Sequence, residues 1–246
     1  MSKEHALKTV EVGGGVALPD FLKKHTDVKV SGTEDMGSDF TTPRIQLAQD
    51  MSPQVKKRDP EYIEGLEPGM FFHGVSRAVI GEQFTSPILK IWNSRTLFGE
   101  EGEVACWSPD MVHGSADPFA CEGCPFSEWK DNNPPECKTF QNHLVVLDGA
   151  PAILSIRLSN KQATREARQI RTQAKLLEAH GAGLYAFQFT FTSKLVKNAA
   201  GQSFFVVTAV PVGPVQSEEE YLAYKAMAEQ FANINTPPAN FGRKEE

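Results

Sequence analysis

The stretch HLVVLDGAPAILSIRLSNKQATREARQIRTQAKLLEAHGAG, residues 143–183, decides the fold. Residues 143–147 and 152–158 are apolar runs flanking Asp148-Gly149, and both of those positions tolerate positive φ, so the spacing predicts a tight β-hairpin. Beyond the hairpin the period changes. Ala163, Ala167, Ile170, Ala174 and Leu177 recur at helical spacing, and Gly181 and Gly183 end the run.

Reading outward in both directions adds three strands. Upstream, residues 86–98 alternate, with Ile88, Lys90 and Trp92 expected on one face and Leu89 and Ile91 on the other. Downstream, residues 185–196 and 203–212 form two more strands, joined by the loop Asn198-Ala199-Ala200-Gly201. A helix between the third and fourth of five strands is the order of the OB fold, a five-stranded Greek-key barrel, although other small α+β domains share it. The expected fold is therefore mainly β (α+β). Its five-stranded OB-fold barrel has an insertion in the strand 1–2 loop, a helix between strands 3 and 4, and a C-terminal helix.

Around that barrel the chain divides as follows. Residues 1–40, with Gly13, Gly14 and Gly15 in a row, read as a flexible N-terminal arm. Residues 41–214 are the OB-fold domain, in which strands at 43–49 and 70–80, with a proline-punctuated loop between them, precede the five barrel strands. Residues 215–246 are a C-terminal helix, opened by the capping sequence Ser217-Glu218-Glu219-Glu220, and a mobile tail.

All four cysteines fall in the insertion, residues 104–140: Cys106, Cys121, Cys124 and Cys137. A Cys-x2-Cys knuckle with one more cysteine on each side supplies the four thiolates that a structural Zn²⁺ takes at tetrahedral geometry. The insertion is poor in aliphatics and rich in Pro and Gly, so a metal would supply folding free energy that burial cannot. Two disulfides fit poorly with a chain lacking a secretion signal. An iron–sulfur cluster, which also uses four cysteines, is the minority alternative.

Net charge is −6 with a pI near 5.6, which alone argues against a nucleic-acid partner. The distribution argues otherwise. Residues 149–214 carry eight Lys and Arg against two Glu, and local field steers a polyanion more than net charge does. Single-stranded nucleic acid needs cations for phosphates and flat rings for bases. The candidates are Lys90, Trp92, Arg95, Trp107, Arg157, Lys194 and Lys197, with Arg157 projecting from the third barrel strand. Trp92 suits a core as well as a stacking role. Trp107, Trp129 and Phe126 also suit packing over the knuckle. Phe187, Phe189 and Phe191 are read as barrel filling. Lys161, Arg165, Arg168 and Lys175, opposite the apolar stripe of the helix, are read as an ordinary solvated face.

Enzymatic readings find little support. The zinc-deaminase signature fails because Ala120 precedes the knuckle and Gly114 follows His113, and there is neither a GxxxxGK[ST] loop nor an HExxH sequence. Asp110, His113 and His143 are the residues from which a hydrolytic site would be assembled, but four thiolates close a tetrahedral zinc and leave no open position. The chain is read as a non-enzyme. The alternatives are a zinc-knuckle adaptor that docks a protein partner and, behind it, a metal-dependent nuclease.

Pro43-Arg44-Ile45-Gln46-Leu47-Ala48-Gln49 followed by Ser52-Pro53, Ile63-Glu64-Gly65, Pro68-Gly69, Cys106-x-Ser108-x-Asp110, Gly114, Cys121-x-x-Cys124-Pro125, Trp129 and Cys137 resembles a group of bacteriophage single-stranded DNA-binding proteins. The resemblance covers roughly residues 40–160. It implies an OB-fold core that coats single-stranded DNA, with little sequence preference, during phage replication and recombination, and zinc as a structural ion. Many such proteins end in a strongly acidic tail that recruits replication proteins, whereas this chain ends Gly242-Arg243-Lys244-Glu245-Glu246. The acidic helix start at Glu218 to Glu220 is the remaining candidate for such partners. No segment approaches a membrane span and the N-terminus has no apolar core, so the expected location is the cytoplasm, that of the host if the gene is a phage's.

Overall fold

The computed structural model describes residues 42–116, 120–130, 133–158, 160–198 and 201–234. The expected N-terminal arm and the tail beyond residue 234 lie outside the described residues. Among the described residues there are nine strands and two α-helices, in the order β1 (Arg44–Leu47), β2 (Phe71–His73), β3 (Val79–Gly81), β4 (Gln83–Phe98), β5 (Val104–Ser108), β6 (Lys138–Leu147), β7 (Ala150–Arg157), α1 (Lys161–Glu178), β8 (Phe187–Lys197), β9 (Ser203–Pro214) and α2 (Glu218–Gln230). The described residues are mainly β, a curled half-barrel with two helices, and their nine strands exceed the five of the expected barrel.

The sheet path is β3-β2-β1-β7-β6-β4-β8-β9, with β5 paired to the far end of β4. β4 holds it together. Residues Gln83 to Pro87 pair with β8, and Ile88 to Thr96 pair with β6. The change of partner occurs at Pro87, which has no N–H to give a ladder. Beside it the Ser86 hydroxyl accepts from Val146 N–H at 2.8 Å and donates to Pro87 O at 2.8 Å, so no backbone donor is stranded at the join.

A bulge between Ile88 and Lys90 corrects the expected faces of β4. One extra residue inverts the alternation. Ile88 and Ile91 enter the main core, while Leu89 and Trp92 pack on the opposite side of the sheet. The strand expected at 70–80 is likewise two strands, β2 and β3, which pair antiparallel across a turn in which Arg77 takes φ 60°.

The hairpin forms as its turn chemistry dictates. Asp148 and Gly149 adopt φ 52° and 78°, and β6 and β7 stay paired from Leu147–Ala150 to Phe140–Arg157. Asn160 caps α1 by accepting from Ala163 N–H at 2.8 Å. The small side chains of Ala163, Ala167 and Ala174 let α1 lie close against the core with Ile170 fully buried. Phe189 and Phe191 also fill that core, and Phe84 stacks on Phe191 with centroids 4.9 Å apart.

β1 runs parallel to β7. Just past it, the Gln49 side chain bridges to Phe205 on β9, donating to its carbonyl at 3.0 Å and accepting from its N–H at 2.8 Å. α2 lies over the outer face of β4, β6 and β7, where Tyr224, Met227, Ala228, Phe231 and the following Ile234 cover Leu89, Leu144, Val146 and Ile153. Ser217 caps this helix through Glu220 N–H at 3.1 Å.

Candidate metal site and nucleic-acid interface

The insertion is not a loop throughout. β5 carries Cys106 and zips onto β4 through Arg95–Ser108, Thr96–Trp107 and Leu97–Cys106. The Cys121–Cys124 knuckle turns through Gly123, whose φ of 74° suits glycine. Ser127 Oγ braces it by donating toward the carbonyls of Cys121 (3.1 Å) and Cys124 (2.8 Å), and Arg95 Nη1 donates to Cys121 O at 3.3 Å. Cys137 joins through its N–H to Phe126 O at 2.9 Å.

All four cysteines are free thiols and line one small cavity of about 100 Å³, together with Arg95, Ser108 and Phe126. Among the described residues, no three His, Cys, Asp or Glu side chains stand close enough to form a metal-holding group. Four neutral thiols have no mutual attraction that would draw their sulfurs to the separations an ion imposes, so convergence on one cavity is the more informative observation. Burial pushes the Cys137 thiol up to about 11, while the nearby Arg95 guanidinium works in the opposite direction. Once deprotonated, four cysteines lining one cavity are donors of the kind zinc takes, and Cys106, Cys121, Cys124 and Cys137 are the residues that would hold it.

The seven expected nucleic-acid contacts do not form one surface. Lys90 Nζ donates to Ala232 O at 2.6 Å, at the C-terminal end of α2, and stands 5.5 Å from the Trp92 ring centroid. Trp92 itself packs against α2. These two residues anchor a helix that also covers Leu144, Val146 and Ile153 on the outer face of β6 and β7. Arg95 and Trp107 belong to the β4–β5 ribbon, where Trp107 N–H meets the Ser115 hydroxyl at 2.9 Å and its carbonyl accepts from Ser115 N–H at 2.8 Å. Arg157 is exposed at the end of β7, on the face away from the core. Lys194 and Lys197 are exposed on β8, and Lys194 lines a groove against α1.

Residues 11–93 match the family model of the Pam3 phage gp34-like protein. No curated protein and no solved structure matches the chain. The matched span takes in β1 to β3 and β4 as far as Asn93, and stops short of every cysteine. The similarity is therefore to a phage protein family, over about a third of the chain. No helix among the described residues is long and apolar enough to cross a membrane.

Of the three residues considered for hydrolysis, Asp110 and His113 meet and His143 stands apart. Asp110 accepts from the backbone N–H groups of Val112 (2.8 Å) and His113 (2.9 Å) and from the Ser108 hydroxyl (3.1 Å), and pairs with the His113 ring at 2.8 Å. The His113 backbone N–H and ring, with Val112 N–H, hold its carboxyl well below the usual carboxylate range. This is a surface turn. His143 is fully buried in the sheet, with Gln141 Nε2 at 3.0 Å, and burial lowers it to about 4.

One arrangement absent from the expected set is a groove between the insertion and α1, lined by Trp129, Leu158, Asn160, Lys161, Thr164, Arg165 and Arg168. The basic helix face was visible in the sequence. Its apposition to Trp129 was not, because that depends on where the folded insertion comes to rest.

Proposed function

We propose that the protein binds single-stranded DNA without catalysis, in phage replication or recombination, through an OB-type barrel formed by β4, β6, β7, β8 and β9. The observation that carries this reading is the connectivity of β4. It pairs with both β6 and β8, and α1 intervenes between β7 and β8, which is the strand–helix order of the OB fold. β1 to β3 are additions to that barrel; β1 occupies the place beside β7, and Gln49 ties it to β9. The cysteine ribbon then lies between the first and second barrel strands, one of the two loops OB folds use to hold oligonucleotides. Zinc bound by Cys106, Cys121, Cys124 and Cys137 would be structural, fixing the knuckle to β5. The exposed cations Arg157, Lys194 and Lys197 and the similarity to a phage family support the same reading.

Fluorescence polarisation with labelled oligo-dT tests it. Single-stranded DNA should bind more tightly than duplex, with log K falling linearly against log salt as counterions are released. Equal affinity for duplex, or a flat salt dependence, would overturn the reading.

A further inference from the structure

We infer that the strand is held in the groove between Trp129 and α1, with a base stacked on the indole and phosphates on Lys161, Arg165 and Arg168. The inference rests on the single-stranded DNA reading and moves its contact surface to residues not among the seven expected from sequence.

The groove has a volume of about 510 Å³. On one wall is Trp129, 69% exposed, a large apolar surface that the fold leaves uncovered. Its position is built. Ser127 is bonded to the knuckle carbonyls and Cys137 to Phe126 O, and just beyond Trp129 Lys130 and Asn133 are paired, Lys130 N–H to Asn133 O (3.3 Å) and Asn133 N–H to Lys130 O (2.7 Å). The opposite wall is the first half of α1. Lys161, Arg165 and Arg168 recur at helical spacing on the face opposite Ala163, Ala167 and Ile170, spanning roughly 10 Å of helix axis. All three are exposed, and none makes an ion pair with a described acidic side chain. Among the described residues, no carboxylate lines the groove. Glu166, the one acid in that part of α1, points elsewhere and accepts from the Gln162 amide at 2.7 Å.

Arg165 also lines the neighbouring groove, which continues past Gln169 and Gln173 to Lys194 on β8 and Thr208 on β9. Arg165 is thus shared by the two grooves, and the second holds Glu166 as well as neutral Gln169 and Gln173 before it reaches Lys194. Cations alone would suit an acidic peptide equally well. The exposed indole at the same site selects a polyanion that carries flat rings, because base–aromatic stacking tolerates any sequence.

The test uses the full chain, labelled oligo-dT and three variants. Trp129→Ala should weaken binding about 10-fold, within the range found for loss of one base stack. Trp129→Phe should retain most of the affinity. Arg165→Gln/Arg168→Gln should lower affinity and reduce the salt slope by roughly 1.4, the effect of two phosphate contacts on a single strand. The mutated side chains are exposed, so thermal melting should be unchanged. If the native protein binds oligo-dT and all three variants match it in affinity and salt slope, the groove is overturned while the single-stranded DNA reading stands. If the native protein does not bind oligo-dT, both fall. Binding of poly-glutamate as tightly as oligo-dT would assign the groove to acidic peptide and overturn the inference.

Discussion

The side-chain amide of Gln49 meets both backbone groups of Phe205, donating through Nε2 at 3.0 Å and accepting through Oε1 at 2.8 Å. A side chain here does what a strand neighbour would do for β9. Gln49→Ala removes both bonds at a partly buried site and should destabilise the protein by about 2 kcal/mol, measured by urea unfolding. Hydrogen exchange at Phe205 should rise with it. An unchanged unfolding midpoint would mean that water replaces the amide without loss.

Phe205 also lies over Gly69. A Cβ at that glycine would come within 2.6 Å of the ring, and its backbone sits at φ 91°. Gly69→Ala therefore combines a clash with a conformation that L side chains avoid, and should cost about 2–4 kcal/mol by the same measurement. Gly65, at φ 77° with nothing within 4 Å, is the control, since its substitution carries backbone strain alone.

Lys90 closes the end of α2 through Ala232 O. Lys90→Ala should loosen the helix and raise solvent exposure of Trp92, seen as a red shift in tryptophan emission and faster amide exchange in residues 227–234. The expected cost is about 1 kcal/mol, from a cation at a helix C-terminus bonded to carbonyls.

His143 gives a pH dependence whose sign is fixed by burial. Its folded value, about 4, lies below the ordinary histidine value of 6.5, so the unfolded chain takes up the proton first. Stability is complete above pH 6.5 and falls as pH drops from 6.5 toward 4, by roughly 3 kcal/mol over that window. Urea unfolding at several pH values, compared with His143→Gln, isolates this from the carboxylates. Parallel curves for the two proteins would show that His143 contributes nothing.

The cysteine centre predicts one zinc per chain by elemental analysis. Cys121→Ser should lose it and lower the melting temperature. Because thiol protons must leave when the metal enters, zinc affinity should rise with pH. Zinc retained at full stoichiometry would show that the ligand set is different.

What the sequence displayed and what it concealed follow from the range of the forces involved. The Asp148-Gly149 turn and the Asn160-capped α1 are local, and both were legible from a few neighbouring residues. β5 was hidden because Val104 to Ser108 has little strand character beyond what pairing with β4 imposes. The sidedness of β4 was hidden because a bulge is settled by the partner strand and not by the strand that carries it. Among the site residues, the convergence of four cysteines could be read from their spacing. The basic face of α1 could be seen but not interpreted, since an exposed cation acquires a role only when another element, here Trp129, is brought opposite.

The bulge after Ile88 makes the length of β4 more constrained than its composition. Up to Ile88 the strand presents one set of side chains to the core, and beyond Leu89 it presents the other, so a single continuous backbone serves two apolar compartments. Deleting Ile91 would act like a frameshift in space: Trp92 would move from Asn142 to the place opposite His143, and α2 would lose its footing on it, whereas deleting Leu89, the residue without a β6 partner, would leave Lys90 opposite Leu144. Removal of Leu89 should therefore be better tolerated than removal of Ile91, which reverses every side chain that follows.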